Sequence, residues 1–204
     1  MKTNSEIRTL ALDSLKGRWW EAIIVVIAFL AMGVASAIIS GGQNASLVRS
    51  LFGMVIPTFI FIPLGFAAYN AYRSYTMRQS DEVLVPMISE CKSNYGKYLL
   101  TGILLGIVMI IGFLLFIIPG IILDLGFCMF PFIIKDNPEL GVIDVLKKSW
   151  QMTKGYKGRL FLMELGFALW LILGIFTLGI AYFWLIPYIY CTIGQFYEEL
   201  KANA

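Results

Sequence analysis

Two acidic residues, Asp124 and Glu164, lie inside otherwise apolar stretches and are the side chains of this sequence best placed to do chemistry. An ionisable group at membrane depth usually belongs to an ion path or a proton relay. No Lys or Arg close to Asp124 in the sequence offers it a partner. One interpretation is therefore an intramembrane polar site formed by these acids. The other, which we favour, places Asp124 near the outer headgroups, a turn or so past a hairpin at Pro119-Gly120.

Glu164 follows Arg159 by five residues, which puts it about one and a half helical turns into its apolar stretch. At that depth an acid can pair with an interfacial cation or form a hydrogen bond within a helix bundle. We prefer these roles for Glu164 to that of a transport carboxylate.

A cluster of basic residues comes shortly before Glu164. Cations at a membrane surface attract anionic lipid headgroups. We predict that this cluster contacts lipids or a partner protein. Its members are Lys147, Lys148, Lys154, Lys157 and Arg159.

Residues typical of enzyme sites are missing from the chain. It has no His, which is the commonest general base and metal ligand. Its three cysteines, Cys91, Cys128 and Cys191, are widely spaced and are typical of buried or reduced thiols. No glycine-rich phosphate loop and no nucleophile–base pair can be recognised. We predict no enzymatic activity, no cofactor and no metal, and rank an intramembrane enzyme third among the functions considered.

The composition is that of a membrane protein. Of the 204 residues, 59 % are hydrophobic and 14 % are charged, whereas a soluble domain has about 25 % charged residues. The net charge of +3 does not indicate nucleic-acid binding, because such short loops cannot assemble a basic groove. We expect membrane lipids and a protein in the membrane as partners, and leave the oligomeric state open.

Hydrophobic runs predict six membrane-spanning helices. A span needs about 20 residues, with about 17 as the lower limit. The longest run must therefore fold into a hairpin, which turns either near Gly112 or at Pro119-Gly120. The runs are Ala22–Ile39, Leu51–Tyr72, Tyr98–Ile134, Leu160–Phe176 and Leu178–Phe196.

Between the hairpins the sequence predicts three amphipathic helices that lie along the membrane interface. They contain Ile7, Leu84 and Ile143, and the third opens with the cap-like string Asn137-Pro138-Glu139. With six spans, every Lys and Arg except Arg49 falls on one side of the membrane. Basic residues mark the cytoplasmic side, so both termini are predicted to be cytoplasmic, and residues 43–46 are predicted to face outward.

The order of elements repeats three times within one domain of residues 1–204. Each unit has an amphipathic helix, a junction that combines a basic residue, an aromatic residue and glycine, and two spans of which the second holds an Ile-Pro pair. Two spans return the chain to its starting side, so the units would be parallel repeats. The predicted units are residues 5–78, 82–136 and 138–200, with Ile-Pro pairs at Ile62-Pro63, Ile118-Pro119 and Ile186-Pro187.

Several strings resemble a bacterial membrane family, domain of unknown function number 975. They are Ile117-Ile118-Pro119-Gly120-Ile121, Asp136-Asn137-Pro138-Glu139-Leu140, Met152-Thr153-Lys154-Gly155, Leu178-Gly179-Ile180 and Phe196-Tyr197-Glu198-Glu199-Leu200. The resemblance extends from about Ile7 to Leu200 and implies a multi-pass protein, mainly of Gram-positive bacteria. The chain is also similar to the membrane domain attached to some bacterial glycerophosphodiester phosphodiesterases. The family offers no catalytic residues to carry over, and its members usually lack an acid at the position of Asp124.

Together these observations predict an all-helical bundle in the bacterial cytoplasmic membrane. We expect a non-enzymatic protein that acts through partner proteins or lipids, as an accessory subunit or as protection against membrane-active peptides. The alternative is a small transporter or lipid-translocating protein. That alternative would gain from a cavity lined by Asp124, Glu164 or Asn70.

Overall fold

A computed structural model describes residues 2–40 and 47–203, which are helical apart from short connections and contain no strand. The helices are α1 (Asn4–Leu15), α2 (Trp19–Ser40), α3 (Leu47–Thr76), α4 (Leu84–Leu115), α5 (Ile117–Phe127), α6 (Phe130–Asp136), α7 (Val142–Met152), α8 (Lys157–Phe176) and α9 (Tyr182–Ala202). Helix α3 is central and packs against α1, α2, α4, α6 and α9.

Within residues 2–40 and 47–203, four apolar helical segments are long enough to cross a membrane: Trp19–Ile38, Leu84–Leu114, Ile117–Asp136 and Lys157–Phe176. The third combines α5 and α6, which are separated by Cys128 and Met129, and Pro131 lies in the first turn of α6. The predicted all-helical class is thus confirmed for the described residues, with four helices that could span a membrane, and the six spans remain a prediction. The predicted outward loop, residues 43–46, lies outside the described residues, and the three repeat units remain a prediction.

Helix α1 is amphipathic, as predicted, and its start is defined by a capping box between Thr3 and Glu6. Ile7, Ala11 and Leu15 are buried on its inner face. The chain then turns at Gly17, whose φ of +75° favours glycine. The junction therefore separates α1 from α2 as the sequence pattern indicated.

The second predicted amphipathic helix and the span that follows it form the single helix α4. Its backbone departs from helical geometry at Asn94 (φ −119°, ψ 19°), in the junction that the sequence places between them. Here the junction bends a helix instead of ending it.

The central hairpin turns at Phe116, where the backbone is extended (φ −166°, ψ 152°). The turn lies inside the predicted interval Gly112 to Gly120 but at neither proposed position. Both glycines instead form the close crossing of α4 and α5. A Cβ on Gly112 would lie 2.6 Å from the Leu123 side chain, and one on Gly120 would lie 2.5 Å from the Phe113 ring.

The third amphipathic helix begins later than predicted. Asn137 was expected to cap it, but α7 starts at Val142 after an extended Gly141 (φ −70°, ψ 160°). The Leu140 N–H donates to the Asn137 carbonyl at 3.2 Å, so the Asn-Pro string forms a turn. The acid of the first helical turn is Asp144, and Glu139 lies before the helix begins.

Candidate functional site

Asp124 lies eight residues past the break at Phe116, about 12 Å along α5. It lines a cavity of about 260 Å³ that also contacts α3 and α4 through Phe66, Gly102 and Gly106. Asp124 therefore lies two helical turns beyond the hairpin and next to a cavity, deeper than a position just past the turn.

Glu164 lies near Asp124 because α8 packs against α5. The two carboxyl groups interact electrostatically with each other and with the Cys128 thiol. Among the described residues neither acid has an ion pair. Arg159 is no partner of Glu164, since its Nε donates to the Asn4 side chain at 2.9 Å. A carboxyl group in a medium of low polarity can bind a proton or a cation.

Asn70, the third residue named for such a cavity, is fully buried. Its Nδ2 donates to the Tyr98 hydroxyl at 2.8 Å and to the Pro131 carbonyl at 2.7 Å. The Tyr98 hydroxyl in turn donates to Glu90 at 2.8 Å. These bonds join α3, α4 and α6, so Asn70 ties three helices together.

The predicted basic cluster divides into two groups. Lys147, Lys148 and Lys154 are exposed, and the nearest acid to Lys147 is Asp144 at 3.9 Å. The Lys157 ammonium instead lies over the Trp150 ring. Arg159 is also engaged, through its hydrogen bond to α1. Of the five predicted cations, only Lys147, Lys148 and Lys154 therefore form an open basic surface.

Helix α7 holds that surface in a fixed position on the bundle. The Ser149 and Thr153 hydroxyls both donate to the Gly126 carbonyl, at 3.0 and 3.2 Å. A Cβ on Gly126 would lie 2.2 Å from the Trp150 ring, so glycine permits this close approach. Lys147 and Lys148 are displayed on the opposite side of the same helix, as its amphipathic pattern requires.

An ionic cluster that the sequence did not predict joins the ends of α3, α6 and α9. The Arg73 guanidinium donates to both oxygens of Asp136, at 2.7 and 3.0 Å, and also to Glu198. Asp136 further accepts from Lys201 at 2.7 Å and from the Tyr197 hydroxyl at 3.0 Å. The Arg73 and Asp136 side chains are only 12 % and 15 % exposed, so their charges depend on one another.

Some residues of this ionic cluster lie in sequence strings that had already been singled out. Asp136, Tyr197 and Glu198 belong to two of the strings that carry the family resemblance. Arg73 lies in neither string, and its pairing with Asp136 spans 63 residues. In the ranges that the structure covers, no group of three or more His, Cys, Asp or Glu residues could hold a metal ion.

Comparison with known proteins identifies the family of the chain. A family described as a protein of unknown function (DUF975) matches residues 87–204, more than half of the chain. No curated protein and no solved structure matches the chain.

Proposed function

Because the chain belongs to the DUF975 family, whose description assigns no activity, we propose a function from its own surfaces. The protein is a non-enzymatic multi-pass component of the bacterial cytoplasmic membrane that acts through lipids or a partner protein. It crosses the membrane six times, through α2, α3, α4, the α5–α6 pair, α8 and α9. Helices α1 and α7 and the first turns of α4 lie at the cytoplasmic interface. The sorting of basic residues supports cytoplasmic termini.

The observation that carries this proposal is the fixed, exposed basic surface of α7. Lys147 and Lys148 are exposed, while Val145, Leu146 and Ser149 are buried against the bundle. A rigid helix with cations on its outer face suits anionic headgroups or an acidic protein surface, at about 1 kcal/mol per cation near a membrane.

Purification from native membranes in mild detergent tests the proposal. The double variant Lys147→Glu, Lys148→Glu should insert normally but lose bound anionic lipid or a co-purifying protein, measured by mass spectrometry. Arg78→Glu is the control, because Arg78 is exposed in the loop between α3 and α4. If the double variant and Arg78→Glu retain the same lipids and proteins as the parent, the α7 surface is not the interaction site.

A second function, a small transporter or lipid-translocating protein, gains support from the cavity beside Asp124. A transport path requires polar groups that face a cavity within the membrane. Asp124 lines such a space, and Glu164 lies near it. In sealed vesicles that contain the purified protein, movement of protons, cations or labelled lipid should then fall in Asp124→Asn. Equal movement with and without protein would exclude this function.

A further inference from the structure

We propose that the protein has a specific site for an anionic phospholipid, with Arg8 binding the phosphate and an apolar cavity taking one acyl chain. The site lies among α1, α8 and α9, apart from the α7 lysines, and does not depend on their role. It assigns a ligand-binding role to α1, the first of the amphipathic helices.

The cavity has the size and lining of a site for a hydrocarbon chain. It measures about 430 Å³, within the range of about 300–1,000 Å³ that is usual for ligand sites. Its wall is almost entirely apolar and includes Leu12 of α1 and Thr177, which follows α8. Three of the five tryptophans of the chain line it: Trp19, Trp170 and Trp184. Indole rings commonly lie where hydrocarbon meets headgroups.

Arg8 lies one helical turn from this cavity. Leu12 follows Arg8 by four residues on α1, so the two side chains share a face. On the α8 side, the Arg8 guanidinium lies 4.8 Å from the centre of the Phe167 ring. Phe167 packs edge-on against Tyr188, 5.4 Å between centres, and Tyr188 lines the cavity. Two aromatic rings therefore connect the cation to the apolar space.

The charge of Arg8 is not neutralised within the described part of the protein. No carboxylate forms an ion pair with Arg8 there. Its Nη2 donates to the Met163 carbonyl at 2.7 Å, while its buried Nε has no hydrogen-bond partner. A half-buried guanidinium without a counterion is costly unless an anion approaches it. A phosphate would supply that charge and can accept two N–H bonds from the guanidinium.

Close packing holds Arg8 at this position. A Cβ on Gly166 would lie 2.3 Å from Nη2 of Arg8, so α8 has a glycine where the guanidinium crosses it. Next to this contact, the Asn4 side chain donates to the Arg159 carbonyl at 2.9 Å. Helix α1 packs mainly on α9 and α3, and the Asn4 and Arg8 side chains reach from it to the α8 backbone.

Fluorescence quenching by brominated lipids tests the site in the whole reconstituted protein. Trp184 is kept as the only tryptophan by changing the other four to Phe. Every vesicle has one fixed mixture of phosphatidylglycerol and phosphatidylcholine, and only the lipid whose chains carry bromine is exchanged. Compared per lipid molecule, brominated phosphatidylglycerol should quench Trp184 about fivefold more strongly than brominated phosphatidylcholine. This is the preference expected from one cation near the headgroups. Arg8→Gln should abolish the preference, and Arg8→Lys should keep most of it.

Two controls make the result specific. Arg78→Gln removes an exposed cation that does not line the cavity and should leave the preference intact. In a tryptophan-free protein, Ile110→Trp at an exposed position of α4 should be quenched equally by both lipids.

Ala181→Phe places a large side chain in the cavity and should reduce quenching of Trp184 by either lipid. If Arg8→Gln does not fold, this variant tests whether a lipid chain occupies the cavity. Equal quenching of Trp184 by both lipids, or a preference that survives Arg8→Gln, would overturn the proposal. Absence of Trp184 quenching by either lipid would also overturn it, because this is the result expected if another protein segment fills the cavity.

Discussion

Asp136 and Asp124 belong to the same candidate membrane span, Ile117–Asp136, but their surroundings differ. Asp136 accepts hydrogen bonds from Arg73, Lys201 and Tyr197. Asp124 lines a cavity, and within the described ranges its carboxylate has no cationic partner. The first acid is built into the fold, whereas the second is left available.

The two acids differ in burial as well: the Asp136 side chain is only 15 % exposed, whereas Asp124 is exposed at the edge of its cavity. A carboxylate that is enclosed by several donors fixes the helices that supply them, but it has no capacity left for a ligand. A carboxylate beside a cavity contributes little to packing and can still bind a proton or a cation. Asp136→Asn should therefore lower the free energy of unfolding, whereas Asp124→Asn should leave it nearly unchanged.

The largest effect is expected from Asp136→Asn. The change leaves the Arg73 guanidinium, 12 % exposed, with Glu198 as its remaining acid. Loss of one partner of a buried ion pair should lower the free energy of unfolding by about 3 kcal/mol. Denaturant titration in mixed micelles measures it. Asp144→Asn is the matched control: its carboxylate is 62 % exposed, so its loss should cost less than about 1 kcal/mol. Similar losses in both variants would show that the cluster is not structural.

A smaller effect is expected from Gly126→Ala, which changes the segment between the two acids. The new methyl group would lie 2.2 Å from the Trp150 ring, and a ring held under Lys157 has little freedom to move. Such overpacking should lower the free energy of unfolding by about 1–3 kcal/mol. Gly158→Ala is the control, because nothing lies within 4 Å of its added Cβ. If both alanines are tolerated equally, α7 is not fixed at Gly126.

Asp124→Asn and Glu164→Gln should change the free energy of unfolding by less than about 1 kcal/mol, because neither removes an observed partner. The same titration measures this, with Asp136→Asn as the reference for a structural acid. A loss as large as that of Asp136→Asn would mean that a cation neutralises these acids, and the contrast between the two regions would fail.

The sequence predicted those features that depend on neighbouring residues. Apolar runs and basic junctions indicated the long helices, and glycine marked the turn at Gly17. The central hairpin was predicted only to within an interval, because a glycine that permits a close crossing looks the same in sequence as one that forms a turn. The start of α7 was misplaced for a similar reason, since Asn137-Pro138 is compatible with either a helix cap or a tight turn.

The candidate site was harder to predict, because its parts come from distant segments. Asp124 and Glu164 were each recognised as unusual, but only the packing of α5 on α8 shows that they are neighbours. Arg73 looked like one more cytoplasmic cation, since charge sorting fixes a side of the membrane and not a partner. Lys157 was assigned to the basic surface, yet it covers Trp150.

The smallest effect concerns Glu6, whose carboxylate is exposed and lies outside the apolar helices. Hydrogen bonds from the backbone N–H of Thr3, at 2.6 Å, and from its hydroxyl, at 3.0 Å, lower the pKa of Glu6 below its ordinary value. Because the pKa is lower in the folded state, the stabilisation is complete above the ordinary glutamate pKa and is lost as the pH falls through the folded value. Hydrogen-exchange protection of residues 5–7, corrected for the intrinsic rate, should therefore decline in acid. Thr3→Ala should reduce protection at neutral pH and remove most of this pH dependence. Protection that is unchanged by acid would show that the box contributes nothing to α1, whereas the cluster around Asp136 should keep its effect at the same pH.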